Sequence, residues 1–139
     1  MAQPLGTDLL LMTAPHGPIL VVDDDLAVRN ALKFALEIEG LSVRLYSGAA
    51  DLLADAALPP KGCLVVDYNM PAMNGIELAD ALHRRRIDWP IILIAGNVNQ
   101  ELRSRAGRSG IGRVLEKPLS DGALMESIRS ALTSMQADD

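Results

Sequence analysis

Short apolar runs alternate with longer amphipathic stretches from residue 18 onward, and glycine or proline stands at many of the junctions. Three of the runs are continuously apolar, as is typical of strands covered on both faces of a parallel sheet. The pattern predicts five strands, over residues 19–22, 42–46, 63–66, 91–95 and 114–116. The second strand alternates apolar and polar residues, which predicts an edge strand with one wetter face.

The stretches between the strands have helical periodicity. Helices are predicted over residues 25–39, 48–58, 75–86 and 119–133, and a weaker one lies within 97–110. In the first helix the apolar face is predicted to carry Leu26, Ala27, Asn30, Ala31, Phe34, Ala35 and Ile38. Ser47 is expected to cap the second helix, which the prolines at 59 and 60 should end.

This order of elements is a βα repeat. Because each βαβ crossover is right-handed, the repeat predicts an α/β fold with a doubly wound five-stranded parallel sheet and helices on both faces. In such a sheet, ligands bind outside the carboxyl ends of the strands, near the point where the strand order reverses.

Composition narrows the possible functions. The 139 residues suit one domain, predicted over 18–133, between a flexible N-terminal extension (1–17) and a C-terminal tail (134–139). A net charge of -5 argues against a broad nucleic-acid surface. Residues 1–17 lack the features of a signal peptide, and no apolar run reaches the roughly 20 residues of a membrane span. We therefore expect a cytoplasmic protein that contacts neither membrane nor nucleic acid directly.

The single cysteine, Cys63, excludes an intrachain disulfide and is typical of a protein from a reducing compartment. It lies within an apolar run, which favours a small core residue over a reactive thiol.

Acidic residues follow two of the predicted strands. Asp23, Asp24 and Asp25 come directly after the first strand and Asp67 after the third, while Lys117 follows the fifth. Like charges a few ångströms apart repel unless a cation or a proton offsets them. Several carboxylates with one ammonium group are typical of a magnesium and phosphoryl site. Taken singly, the same residues also fit helix caps, a turn-forming aspartate and a surface lysine.

Four segments, "ILVVDDD", "CLVVDYNMPAMNGIEL", "WPIILIAG" and "VLEKPLS", occur in an order and spacing that resemble the receiver domain of two-component response regulators. The likeness covers residues 18–132 and is greatest to receivers of the nitrogen-fixation and LuxR-type regulator group. It implies a flavodoxin-like sheet with strand order 2-1-3-4-5.

The resemblance also implies roles for individual residues. Asp67 would be the phosphoacceptor, taking its phosphoryl group from a sensor histidine kinase or a phosphotransfer protein. Mg²⁺ would be held by Asp23, Asp24, Asp67 and the main-chain carbonyl of Asn69, whereas Asp25 lies outside the matching pair and is expected to cap the helix.

Two further residues would act on the phosphoryl group. Lys117 would pair first with Asp67 and then with a phosphoryl oxygen, and Gly96 would offer its backbone N–H. The Lys117–Pro118 peptide bond is expected to be cis.

The chain departs from the family pattern at two positions. The family usually has Thr or Ser where this chain has Ala95, and often Tyr or Phe where it has Val114. These are the usual switch residues, so we hypothesise that Asp67 is phosphorylated but causes a smaller or different conformational change over residues 96–116.

Three functions remain open from the sequence. The first is a phosphoacceptor that signals through an unknown downstream protein, as a monomer or weak dimer that catalyses only its own phosphorylation and dephosphorylation. The second is a pseudo-receiver that binds its partner without phosphorylation. The third is a small phosphatase or phosphotransferase, which Asn69 disfavours because it cannot act as a general acid. The few residues after Leu132 favour a stand-alone receiver, although the sequence also allows a receiver cut from a longer regulator.

Overall fold

A computed structural model of the chain describes residues 17–138. Almost all of the predicted N-terminal extension lies outside these residues. Five parallel strands form one sheet in the order β2-β1-β3-β4-β5. They are β1 (Ile19–Val22), β2 (Val43–Tyr46), β3 (Cys63–Asp67), β4 (Ile91–Ala95) and β5 (Arg113–Glu116). The predicted fold class, strand order and edge position of β2 are therefore confirmed.

Helices cover both faces of the sheet. They are α1 (Leu26–Ile38), α2 (Ala49–Ala54), α3 (Gly75–Arg84), α4 (Gln100–Arg108) and α5 (Asp121–Asp138). One apolar core joins the sheet to α2, α3 and α4, and a second joins its other face to α1 and α5. Because β1, β3 and β4 are buried between these two cores, their ends are held firmly in place.

The predicted apolar face of α1 is wrong. Leu32 and Leu36 are the buried residues of this helix, whereas Leu26, Phe34 and Ile38 are 61%, 70% and 65% exposed. Apolar residues occur on both sides of the helix, so periodicity alone did not distinguish the side that meets the sheet. The face assigned from the sequence is an exposed apolar surface.

The predicted cap and end of the second helix are also wrong. Gly48 is the N-cap of α2 and makes no side-chain bond, while the Ser47 hydroxyl donates to the carboxylate of Asp51. The helix ends at Ala54, well before the prolines. The next residue, Asp55, accepts hydrogen bonds from the Tyr46 hydroxyl (2.6 Å) and from the backbone N–H of Ala57 (2.8 Å), which favours a turn.

Two other helix ends differ from the prediction. Helix α3 stops at Arg84, and Arg86 has a positive φ of 63°, which ends the helical path before the predicted limit. Helix α5 begins at Asp121, where the Ser120 hydroxyl accepts from the N–H of Ala123 (3.2 Å), and it continues to Asp138, beyond the predicted end at residue 133.

Cys63 is fully buried in β3, as expected of a small core residue. Burial raises the pKa of its thiol to about 12, so the reactive thiolate is scarce at neutral pH. Among the described residues, none of the helices combines the length and hydrophobicity needed to cross a membrane.

Candidate functional site

Neighbouring strands bring the three carboxylates of the site together. Val22 of β1 pairs with Val66 of β3, so Asp23 and Asp67 emerge side by side at the carboxyl edge of the sheet. The carboxylates of Asp23, Asp24 and Asp67 offer oxygen atoms that all lie within 4.8 Å of one another. Asp23 and Asp67 are only 2% and 5% exposed, whereas Asp24 faces solvent. Two buried acids and one exposed acid thus form a pocket that opens to solvent.

The surroundings of Asp23 disfavour the ionised form of its carboxyl group. Burial is the main cause that raises the pKa of its carboxyl above the ordinary value; the backbone N–H of Asp25 (2.9 Å) acts against this, and the nearby Asp67 carboxylate adds to it. Arg29 donates to the backbone carbonyl of Asp23 at 2.7 Å and so fixes the turn without neutralising the carboxylate directly. A cation bound in the acidic pocket would therefore offset the unfavourable free energy of its buried, mutually repelling carboxylates.

Lys117 supplies the positive charge at the site. Its backbone N–H donates to the carbonyl of Ala95 at the end of β4 (2.8 Å), which places its side chain at the same sheet edge as the acids. Its ammonium group lies 3.3 Å from the Oδ2 atom of Asp67. The Asn69 N–H donates to Oδ1 of the same carboxylate at 3.3 Å. Lys117 is thus not the lone surface lysine of the alternative interpretation, and the Lys117–Pro118 bond is cis, as predicted.

Asp25 acts as a helix cap. Its side chain accepts from the N–H groups of Ala27 (2.9 Å) and Val28 (3.3 Å) at the start of α1. This confirms that Asp25 is separate from the acidic cluster and belongs to the helix.

The start of α3 holds the backbone of the phosphoacceptor candidate. The Gly75 N–H donates to the carbonyl of Tyr68 (3.1 Å), and Asn74 and Glu77 form a capping box at the same point. A Cβ atom at residue 75 would lie 2.8 Å from the carbonyl oxygen of Asp67, so only glycine allows this approach. Helix α3 is thereby packed directly against the end of β3.

Most of the other predicted site residues lie at the same edge of the sheet. Ala95 ends β4 and is 1% exposed, and Gly96 follows it on the surface, where a Cβ atom would have no neighbour within 4 Å. Asn69 is exposed after β3, and Val114 is half-buried in β5. Asn69, Ala95 and Gly96 thus lie at the carboxyl edge of the sheet, whereas Val114 lies inside β5, where it pairs with Leu93. The proposed roles of all four in phosphoryl chemistry stay predictions.

One contact beside the site was missed by the sequence reasoning. The Tyr68 hydroxyl accepts a hydrogen bond from the Arg105 guanidinium (3.1 Å), whose central carbon lies 5.9 Å from the centre of the tyrosine ring. Tyr68 is adjacent to Asp67 in the chain, but Arg105 belongs to α4. Nothing in the sequence pattern indicates that these two side chains meet.

Comparison with known proteins agrees with this architecture. The family model described as the response regulator receiver domain matches residues 19–129. The chain belongs to this family. The receiver domain resemblance stated from the sequence is therefore confirmed.

Relatives of this receiver domain include the transcriptional regulatory protein FixJ of Azorhizobium caulinodans, which is 39% identical over 116 residues, covering 83% of this chain and 54% of that protein. The response regulator protein TodT of Pseudomonas putida is 33% identical, over 93% of this chain and 57% of TodT. The chain spans about half the length of these two relatives.

Solved receiver structures have the same fold. The crystal structure of FixJ-N superposes with a TM-score of 0.77 and is 34% identical, over 84% of this chain and 93% of that one. A CheY-like receiver domain from Methanospirillum hungatei gives a TM-score of 0.80 at 27% identity, over 88% of this chain and 98% of that one.

The donor set of the receiver domain suits a hard divalent cation. Mg²⁺ prefers oxygen ligands and commonly binds one or two carboxylates while keeping several waters. The three clustered carboxylates provide such oxygens, and Lys117 is within ion-pair distance of only one of them, Asp67. The acidic pocket is therefore compatible with Mg²⁺.

Proposed function

We propose that the chain is a phosphoacceptor receiver whose Asp67 takes a phosphoryl group from a phosphohistidine of a sensor kinase or phosphotransfer protein. A carboxylate oxygen of Asp67 attacks phosphorus, the P–N bond breaks, and the histidine nitrogen leaves with the electron pair. The observation that carries the proposal is the position of the Asp67 carboxylate, which is clustered with those of Asp23 and Asp24 and lies 3.3 Å from the Lys117 ammonium.

The residues around Asp67 have distinct tasks in this proposal. Asp23, Asp24 and Asp67, with the carbonyl of Asn69, would hold Mg²⁺, which would supply positive charge to the phosphoryl oxygens. Lys117 contacts Asp67 before transfer and a phosphoryl oxygen afterwards. Catalysis here is positioning and charge stabilisation, because phosphoryl transfer needs little covalent chemistry from the protein.

The direct test is incubation with acetyl phosphate and Mg²⁺, followed by intact mass measurement and peptide mapping. We expect one phosphoryl group per chain, carried by the peptide that contains Asp67 and lost at alkaline pH as an acyl phosphate. A protein that stays unlabelled at every Mg²⁺ concentration contradicts the proposal.

The exposed apolar face of α1 lies beside the site. A groove of about 790 Å³ is lined on one side by α1 residues, Phe34 among them, and on the other by Gly96, Lys117 and Pro118. A protein that delivers a phosphoryl group to Asp67 must come close to Lys117, which lines this groove and contacts Asp67. We therefore propose that the phosphodonor protein packs against Phe34, as large exposed apolar patches often mark protein interfaces.

Replacing Phe34 by Ala is expected to slow phosphoryl transfer from a protein donor about tenfold, because a buried aromatic anchor typically contributes more than about 1 kcal/mol to binding. Labelling by acetyl phosphate should not change, since Phe34 is 70% exposed and belongs neither to the cluster of carboxylates nor to the Lys117–Asp67 ion pair. Lys33→Ala is the matched control, because Lys33 is exposed on α1 and does not line the groove. Equal transfer rates for Phe34→Ala and wild type would contradict this docking site.

The switch of this receiver is proposed to be atypical. Ala95 and Val114 carry neither the hydroxyl nor the aromatic ring expected at these positions, so phosphorylation should change residues 96–116 less than in an ordinary receiver.

Replacing Ala95 by Thr is expected to strengthen the coupling between Asp67 and residues 96–116 about tenfold to hundredfold, the worth of a hydrogen bond to a charged group. The measurement is the change in amide NMR signals on adding Mg²⁺ and beryllofluoride, a mimic of the bound phosphoryl group. Ala95→Val is the control, because it adds the same branched volume without a hydroxyl. The hypothesis is wrong if wild-type signals already move as widely as in an ordinary receiver.

A pseudo-receiver is the second candidate, and the same two positions favour it. Against it stands the complete set of acids and lysine gathered within one pocket, which a phosphorylation-independent module has no need to keep. The acetyl phosphate experiment separates the two functions.

A further inference from the structure

Tyr68 connects the phosphoacceptor to the neighbouring strand. It directly follows Asp67, and its backbone N–H donates to the carbonyl of Ile94 in β4 at 2.7 Å. Its own carbonyl accepts from the N–H of Gly75. With both backbone groups bonded, Tyr68 is fixed relative to Asp67, so a displacement of one is transmitted to the other.

The side chain of Tyr68 extends the connection to α4. Its hydroxyl accepts from Arg105, and the guanidinium also lies over the tyrosine ring, an arrangement that adds a cation–π contribution. Arg105 is half-buried. The side chains of Arg103 and Arg108 on the same helix are exposed and have no hydrogen-bond or ion-pair partner within the part of the chain that the structure describes. Arg105 is thus the arginine of α4 that contacts the site.

This contact lies where the ordinary switch residues are missing. Tyr68 and Val114 pack against the same apolar core, which also contains Ala95 and the two buried residues of α4, Leu102 and Ala106. A route from Asp67 to α4 therefore exists that needs neither a hydroxyl at residue 95 nor a ring at residue 114.

We propose that the Tyr68–Arg105 contact couples the state of Asp67 to the position of α4. The proposal rests on the phosphoacceptor function. A phosphoryl group on Asp67 adds negative charge next to Tyr68 and changes the free energy of the Arg105 contact. Helix α4 then redistributes between a state in which Arg105 holds Tyr68 and a state in which this contact is broken. Arg105 is a positioning residue in this scheme and does not touch the phosphoryl group.

The test uses the whole chain with Mg²⁺ and beryllofluoride, read by amide NMR at two places. Signals of Gly96 and Lys117 report occupancy of the site, and signals of residues 100–108 report the response of α4. In Arg105→Gln we expect unchanged site signals and an α4 response about tenfold smaller, the low end of the factor that corresponds to one hydrogen bond with a charged group. Tyr68→Phe, which keeps the ring but loses the acceptor, should give an intermediate loss.

Arg103→Gln is the matched control, because it removes the same charge from the same helix at an exposed position. Its α4 response should equal that of the wild type. The coupling is overturned if Arg105→Gln and Tyr68→Phe both respond as the wild type does, or if Arg103→Gln loses as much as Arg105→Gln. If Arg105→Gln destabilises α4 itself, Tyr68→Phe still tests the contact, because it leaves the helix sequence unchanged. If the wild-type signals of Gly96 and Lys117 do not move, the phosphoacceptor function is contradicted, and the coupling that rests on it fails too. This result is distinguishable from the two outcomes above, in which the site signals move but the α4 response does not depend on the contact.

Discussion

Replacing Asp67 by Asn is expected to abolish labelling of the protein by acetyl phosphate. The amide oxygen of Asn carries no charge and is a poor nucleophile, so the rate should fall at least about 10³-fold, as for other removed nucleophiles. The fold should survive, because the amide oxygen still accepts the N–H of Asn69, which now bonds Oδ1 of Asp67. Radiolabel incorporation or intact mass measures the effect.

Asp25→Asn is the control for this experiment. Asp25 is also acidic and close in sequence to the site, but its side chain caps α1, a task that Asn performs equally well. Labelling of this variant should match the wild type. If Asp67→Asn is labelled at the wild-type rate, another residue accepts the phosphoryl group and the proposed function is wrong.

Replacing Asp23 by Asn is expected to stabilise the metal-free protein and to weaken Mg²⁺ binding sharply. The substitution removes a buried charge, whose desolvation is the main penalty, and also relieves repulsion within the cluster. The free energy of unfolding should rise by about 1–2 kcal/mol, a fraction of the roughly 4 kcal/mol that a close pair costs near a protein surface. Mg²⁺ affinity should fall at least about tenfold to hundredfold, since even outer partners of metal ligands contribute that much. Chemical denaturation with and without Mg²⁺ measures both effects.

The pH dependence of stability provides a second measure of Asp23. Because burial raises its pKa in the folded state above 3.8, the folded protein binds this proton more tightly than the unfolded chain. The metal-free protein should therefore lose stability as the pH rises from 3.8 through the folded-state pKa, and the penalty stays complete at neutral pH. Asp23→Asn should flatten this part of the curve.

Asp24→Asn provides the comparison for both measurements. Asp24 is exposed, so its charge is well solvated and its removal should stabilise the metal-free protein less than Asp23→Asn does. Unchanged Mg²⁺ binding in Asp23→Asn would contradict the metal site.

The sheet and the acidic pocket were predictable because both depend on strong local signals. Continuous apolar runs identify buried strands, and the residue after each run lies at the carboxyl edge of a parallel sheet. Asp23, Asp67 and Lys117 all occupy such positions, so their convergence follows from strand order. The resemblance supplied that order, which the alternation of elements alone leaves open.

The errors arose where tertiary contacts decide between equivalent local choices. Helix α1 has apolar residues on two faces, and only packing against the sheet selects Leu32 and Leu36 over Phe34. Ser47 is a favourable cap by type, yet its hydroxyl bonds Asp51 instead. The Tyr68–Arg105 contact joins residues far apart in the chain, and the spacing of apolar residues does not predict such a contact.

The hydrogen bond from Gly75 to Tyr68 closes residues 69–74 into a ring whose two ends meet at the same point. Within it, Pro71 and Ala72 are exposed and lie between Asn69, whose N–H bonds Asp67, and Asn74, which caps α3. The tip of this loop is therefore a suitable place for grafting foreign side chains that alter which proteins the domain recognises, while Asn69, Asn74 and the glycine are kept.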